Sequence, residues 1–555
     1  MQSEVPRLVQ QAGGTSILYK NINLYGKGSP EETALRRART YHLQDHTLYL
    51  LAAPLLWYGV PEILERLPDS SFLIAIEHDP LLAGISLDYI PGDLAGKQSI
   101  VFLHPADKDS LYKSLQDAGI QNFRRVHLLT LNGGYRVHHQ EYARLHALLE
   151  EEVQQFWHNK YTIMHMLPLW VKNIFFNLSR FSSLKENSRI RMTLPSVFKP
   201  VVVAGAGPSL ELTIPFLKTE RDNFFLLAVD TAYTPLLNFG VLPDAVIVQE
   251  AQFFNLYDFI NSPDINVPLI ADISSYPGVF QLSGGIIHLF ITRYMQSKLF
   301  SRLESYDLLP EMLPPMGSVG NTAVDIALRI TRGPVFITGI DFSFYAGKTH
   351  SRACPQHLRM LQETTRTSTL LDFGMSTGTG VQPADPNRKL LLTTTTLERY
   401  ARNFSRIFSD IERLFHLQPV GLPLSIPSVN RDEAVKIMRT WYGSRSQPAV
   451  DETAADSGTE RRQLESRLTE HFFISEIEML RRIYYLGREY LQGVSSENTR
   501  TELISLVNQC DYLFSSFPET GFQIEGPDPV MLKRILISTG HYLHLLKNAQ
   551  TISSG

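Results

Sequence analysis

Short apolar runs that end on a glycine or an acid recur through the middle of the chain. Pro200–Ala204 runs into the tight turn Gly205-Ala206-Gly207, and Pro208 then suits the first turn of a helix, where its missing N–H is not needed. Phe225–Val229 ends in Asp230, Ala245–Val248 in Gln249-Glu250, Pro268–Ala271 in Asp272, and Val335–Thr338 in Gly339-Ile340-Asp341. Unbroken apolar runs of this length predict strands buried on both faces of a parallel sheet. Their endings then share the carboxyl edge, where such sheets bind ligands. Gly285–Thr292 predicts a further strand, Pro315–Thr322 a second glycine-rich loop, and Ala323–Leu328 the helix that follows it.

The flanks read differently. Leu48–Ala52 and Phe72–Ile76, the latter ending in Glu77, repeat the strand–helix–strand–acid order, with Pro54–Arg66 as the intervening helix. The turn Ala52-Ala53-Pro54-Leu55 has no glycine, so a phosphate could not approach its backbone closely, and this layer reads as structural or recognition α/β. Ser99–His104 and Arg125–Leu129 predict further strands, and from Gln140 to Phe181 the apolar period turns helical. Asp341–Lys389 reads as long and mostly irregular, a lid that would keep water from a reactive substrate. The threonines of Leu392–Leu397 read as the N-cap of a helix over Leu397–Phe415. Thr459–Tyr490, Ser496–Phe514 and Pro529–Gln550 predict amphipathic helices. The expected organisation is an α/β domain over 1–150, connecting helices over 151–198, and a central Rossmann-like domain with a mostly parallel sheet over 199–446. A flexible linker over 447–458 and a helical domain over 459–555 complete it.

Composition narrows the class. The chain has 555 residues, 43% hydrophobic and 19% charged, with a formal net charge of -4, which gives no bias toward nucleic acid or a membrane surface. Cys354 and Cys510 are the only cysteines, which suits a reducing compartment and excludes a disulfide scaffold. Thr47–Val60 is the longest apolar stretch, too short and too interrupted by proline to span a bilayer. A cytoplasmic protein is the expectation.

The strand, the Gly205–Ser209 loop and the helix start predict a phosphate site, since a helix N-terminus offers free N–H groups and a positive dipole end. Leu210 stands where the dinucleotide fingerprint has its third glycine, which argues against an NAD or FAD site. Asp230 is placed to hold a nucleotide. Asp244, Asp272 and Asn321 complete the expected cleft.

Taken together, Gly205–Leu210, Asp230-Thr231-Ala232 with Gly240 and Asp244, Gly317-Ser318-Val319, and Thr338–Phe342 resemble the motility accessory factor family of flagellin glycosyltransferases. That family shares an MptE-like central domain and is similar to bacterial sialyltransferases. The resemblance implies transfer of a nonulosonic acid, of the pseudaminic or legionaminic type, from a CMP-activated donor to Ser or Thr of flagellin. It implies nucleotide contacts at Gly205, Ala206, Gly207, Ser209, Asp230, Thr231, Glu250, Gly317, Ser318, Thr338 and Gly339. Tyr345 is similar to the tyrosines that hold the leaving phosphate in the sialyltransferases. Those enzymes carry a catalytic His before a late helix; here Leu392–Leu397 has none, and His350 stands as the candidate base with Asp341 second. A divalent metal such as Mg²⁺ is compatible but not required. Two other readings stay open: an MptE-like pyrophosphokinase using ATP and Mg²⁺, and a non-catalytic flagellin-binding assembly factor.

Overall fold

The computed structural model describes residues 5–553, apart from 27, 93, 95–96, 105–106, 181–188, 260–264, 295–296, 370–379, 386, 389, 444–457, 519, 521–522 and 527. The chain divides into two units, Met1–Met164 with Phe517–Gly521, and His165–Ser516 with Phe522–Gly555. The expected boundaries were an N-terminal domain over 1–150, a central one over 199–446 and a helical one over 459–555. The C-terminal helices Gly458–Leu491, Glu497–Gln509 and Pro529–Ser553 belong to the second unit. Two polar locks hold them there. Glu476 takes a bidentate pair from Arg302 at 2.7 and 3.0 Å, and Asp511 accepts from Ser297 and from the backbone N–H of Lys298. The expected linker falls outside the described residues up to 457.

The first unit is built on four parallel strands in the order Ile100–Leu103, Phe72–Ile76, Thr47–Ala52, Arg125–Thr130. The chain reverses its winding between the last two strands, the place where open parallel sheets bind ligands. Here the gap is filled from within. Tyr25 and Leu24 are buried; the Tyr25 hydroxyl accepts from Leu56 N at 3.1 Å, and Leu24 O accepts from Gly133 N. The expected helix Pro54–Arg66 starts only at Val60, because Ala53, Leu55 and Trp57 all take left-handed backbone conformations. Glu77, at the tip of its strand, is buried and accepts from Tyr142 OH and Asp79 N, both at 2.9 Å on Oε1. Its other oxygen has no partner, and burial pushes the carboxyl up to about 7.

The second unit carries a parallel sheet in the order Glu311–Leu313, Ile287–Thr292, Leu269–Asp272, Ala245–Val248, Phe225–Val229, Val201–Ala204, Val335–Thr338, Leu414–Leu417, Ser428–Val429. Apart from Phe225, which is half-buried, its central strands are buried throughout, as their unbroken apolar runs require. The predicted helix Leu397–Phe415 ends at Phe408, and Leu414–Leu417 is a strand beside Val335–Thr338. The Asp341–Lys389 stretch is more ordered than expected: it contains the helix Pro355–Glu363 and strands at Phe344–Tyr345 and Val381–Pro383.

The winding reverses between Val201–Ala204 and Val335–Thr338, so the two glycine motifs meet at this switch point. They knit to each other. Gly205 N donates to Thr338 O, Gly207 N to Gly339 O, and Gly339 N to Ser209 Oγ, all at 2.8 Å. Ser209 N donates to Asp341 Oδ2 at 2.8 Å, so the anion at the start of the helix Ser209–Thr219 is the chain's own carboxylate. A β-carbon on Gly205 or Gly339 would strike the other loop's backbone, and one on Gly207 would sit 2.5 Å from Asp341 Oδ2. These glycines permit loop-to-loop contact, and the Asp341 side chain stands where the Gly205–Ser209 loop was expected to hold a phosphate.

Two outcomes follow for stability. The Glu77 carboxyl titrates higher in the folded than in the unfolded chain, so the stability tied to it is full below the ordinary glutamate range and is lost as pH rises through about 7. Glu77→Gln removes that titration, and its melting temperature relative to the parent should be higher at pH 8 than at pH 5. An equal difference at both would show that Glu77 ionises freely in the fold. Gly207→Val should lower stability by about 3 kcal/mol or more in a denaturant titration, since its side chain meets Asp341 and Gly339 O. A variant of unchanged stability would mean that the loop is open.

Candidate functional site

A cavity of about 1000 Å³ lies in the second unit, on the carboxyl edge of the sheet but beside the switch point rather than in it. Asp230 and Thr231 enter it from the end of Phe225–Val229, Gln249 and Glu250 from Ala245–Val248, and Tyr294 from just beyond Ile287–Thr292. Gly317, Ser318 and Val319 form a second wall, Pro355, Gln356, Leu358, Arg359, Gln362 and Glu363 a third. Gln252, Phe254, Asn255, Tyr257 and Asp258 complete the lining, four of them from the short 3₁₀ helix Phe253–Phe259.

Two helices begin at these walls. Ser318 caps Val319–Ile330, its Oγ accepting from Asn321 N at 3.2 Å, and Gly317 reaches it with φ +85° beside the Tyr400 ring. Pro355 opens Pro355–Glu363, where a residue without an N–H is favoured. The N-terminal end of Val319–Ile330 faces the cavity, an arrangement that suits an anion such as a phosphate, and Pro355–Glu363 lines it along one side from its first residue to its last.

The same cavity gathers carboxylates. Asn255 Nδ2 donates to Asp230 Oδ2 at 2.7 Å and to Asp258 Oδ2 at 3.3 Å, and Asp230 Oδ1 accepts from Thr231 N. Burial raises both Asp230 and Asp258 above the usual carboxylate range, and the Asp230 charge raises Asp258 further. Glu250 adds a like charge to both and accepts from Gln252 N. Arg359 is the only basic residue among the described lining residues, and it pairs with Glu363 at 2.8 Å.

Behind these groups the helix His139–Ser179 braces the wall with residues of the second unit. Trp170 stacks on Tyr294 with ring centroids 4.1 Å apart. Asn173 Nδ2 holds Ala251 O and Ser274 O, and Asn177 Nδ2 holds Ile273 O and Ser275 O, at 2.8–2.9 Å. Gln249 donates to Thr292 and Tyr294 hydroxyls. Such bracing fixes a site's geometry before a ligand arrives.

Of the residues expected from sequence, Asp230, Thr231, Glu250, Gly317 and Ser318 line the cavity. The others do not. Gly205, Ala206, Gly207, Ser209, Thr338, Gly339 and Asp341 form the knit at the switch point; the Thr338 hydroxyl is bonded to Thr213, and Ala206 O accepts from Ser351 N. Burial raises the Asp341 carboxyl against the lowering effect of the Ser209 N–H. Tyr345 pairs its strand with Leu391 and closes a turn with Lys348. His350 lies outside the lining and bonds Thr349, and burial with His357 nearby pushes its imidazole down to about 4. Asp244 sits at the opposite, amino edge, paired with Arg221 at 2.9 Å and accepting from Leu226 N. Asp272 is sealed by Ser274 and Thr292, and Asn321 braces Met316 O and Tyr400 O. Their polar groups are engaged within the chain, by backbone at Ser209, Asp272 and Asn321 and by side chains at Thr338, His350 and Asp244, while the second oxygen of Asp341 is buried without a partner. Asn255, Asp258, Phe254, Tyr257, Tyr294 and the wall Pro355–Glu363 were not anticipated. The run Phe253–Phe259 mixes aromatic and polar residues without helical or strand period; its signal is an acid and an amide among four aromatic residues.

Residues 170–347 match the family described as 6-hydroxymethylpterin diphosphokinase MptE-like. A Treponema pallidum (strain Nichols) uncharacterized protein is 27% identical over 547 residues, covering 98% of this chain and 95% of that protein. A second uncharacterized protein of the same organism is 24% identical over 170 residues, covering 29% of this chain and 74% of that protein. Among solved structures, a Maf glycosyltransferase from Magnetospirillum magneticum AMB-1 aligns with a TM-score of 0.55 at 13% identity, over 99% of this chain and 90% of that one. Residues 170–347 thus match the MptE-like family, and the chain has a fold similar to that of a Maf glycosyltransferase.

Proposed function

We propose that the chain is a glycosyltransferase whose cavity binds a nucleotide-activated sugar. The observation that carries this reading is the meeting, in one cavity, of the N-terminal end of the helix Val319–Ile330 with the carboxylates Asp230, Glu250 and Asp258. The helix end suits the phosphate of a leaving nucleotide, and the carboxylates suit the proton of an attacking hydroxyl. In the transfer, the bond from the anomeric carbon to phosphate oxygen breaks and its electron pair leaves with the nucleotide. The acceptor oxygen forms the new bond, and its proton passes to a carboxylate. Asp230 and Glu250 take the role of base in this reading, in place of His350, which lies outside the lining.

The specific form is transfer of a nonulosonic acid from a CMP-linked donor to Ser or Thr of flagellin in the cytoplasm. The fold likeness to a Maf glycosyltransferase supports it, and the buried free thiols of Cys354 and Cys510 suit a reducing compartment. No helix among the described residues is long and apolar enough to cross a membrane. A second reading, a pyrophosphokinase, is favoured by the family match over 170–347. Among the described residues no group of His, Cys, Asp or Glu forms a metal cluster by itself. In that reading Asp230, Asp258 and Glu250 would share Mg²⁺ with the phosphates of ATP.

Calorimetry with CMP, UDP, ATP plus Mg²⁺ and NAD⁺ separates the readings. CMP is expected to bind with preference; preference for ATP with Mg²⁺ selects the kinase, and silence from all four selects a non-catalytic assembly factor. With a flagellin acceptor, Asp230→Asn should lower turnover by about a hundredfold to ten-thousandfold, while His350→Ala stays near the parent. The base works ionised, and burial raises Asp230, so the parent's rate should climb with pH through a limb above the usual aspartate range. A rate that is flat across that limb would remove Asp230 from the role.

A further inference from the structure

The 3₁₀ helix Phe253–Phe259 lines the cavity with two kinds of side chain. Phe254 and Tyr257 are aromatic and remain 51% and 43% exposed, and Phe253 beside them is 50% exposed. The Phe253 and Phe254 centroids lie 4.1 Å apart, and those of Phe254 and Tyr257 6.2 Å apart. Two large rings left open in the cavity lining, with a third beside them, mark a surface that a ligand covers.

Asn255 and Asp258 alternate with those rings. Asn255 is 1% exposed, and its Nδ2 is spent on Asp230 and Asp258. Its Oδ1 is buried without any hydrogen-bond partner. A buried amide oxygen left unpaired costs free energy, and it can only accept. Asp230 and Asp258, when ionised, are also acceptors alone. The wall therefore asks for a ligand with an apolar face for the rings and several O–H donors along one edge. A hydrocarbon has no donor for Asn255, and a nucleobase has a face but few donors on one edge. A pyranose has both, an axial C–H face and neighbouring hydroxyls.

We propose that Phe253–Phe259 is the sugar seat of the cavity, with a pyranose ring against Phe254 and Tyr257 and adjacent hydroxyls donating to Asn255 Oδ1 and Asp258. A carboxylate on that ring would turn from Asp230 and Asp258 toward Arg359, the cation of the lining. The seat would set which sugar is transferred, and it rests on the glycosyltransferase reading of this cavity.

Saturation-transfer NMR on the full chain, with free N-acetylneuraminic acid and free N-acetylglucosamine as probes, tests the seat without any nucleotide. At least one sugar should take saturation at its ring C–H protons. Phe254→Ala and Tyr257→Ala should each lose most of that signal. Both side chains are half exposed, so melting temperatures near the parent's are expected. No saturation of either sugar, or a signal that survives both substitutions in folded protein, overturns the proposal. CMP is run in parallel on the parent: CMP bound without sugar removes the seat and keeps the nucleotide site, and sugar bound without CMP does the reverse.

Discussion

The hydrogen bond from Ser209 N to the buried Asp341 carboxylate decides where this protein can hold a ligand. A strand, a glycine turn and a helix start leave positive backbone groups pointing at one spot, and something negative has to answer them. In many α/β folds that is a bound phosphate. Here the answer comes from the loop after Val335–Thr338. The glycines at 205, 207 and 339 let two backbones approach closely enough for the carboxylate to reach. The switch-point crevice is thereby turned into a structural joint between the two halves of the sheet.

The open cavity lies farther along the same edge. The cavity sits over the ends of Phe225–Val229 and Ala245–Val248, where Val319–Ile330 presents its N-terminal end and Pro355–Glu363 one side. Its loops are held from behind by Trp170, Asn173 and Asn177, three positions on one helix face that spend their polar groups on backbone carbonyls or stack on the wall. The first unit follows a related logic, its switch point filled by Leu24 and Tyr25 from the chain itself. Both crevices that topology would offer are filled from inside, and the open cavity lies beside the second of them.

Much of the fold was legible because its strands are continuous apolar runs with acid or glycine endings, a pattern that buried parallel strands impose. Six of the central strands and the C-terminal helices stand where that pattern predicts them. The site was legible only in part. Asp230, Glu250, Gly317 and Ser318 carry strand-end and helix-start signals and do line the cavity. Gly205, Gly207 and Asp341 carry the same signals and do not, because sequence shows a donor-rich loop without showing which acceptor fills it. Asp244 misled for a simpler reason: it precedes its strand, so it faces the amino edge. Asn255 and Asp258 sit in a 3₁₀ segment with no period to betray it, and the helix Pro355–Glu363 hides in a stretch rich in small polar residues.

A crystal structure of the full chain with CMP bound tests this account most directly. The account places the phosphate at the N-terminal end of Val319–Ile330, with Asp341 still bonded to Ser209 N. Phosphate in the Gly205–Ser209 loop, with the Asp341 carboxylate displaced from it, would contradict the account.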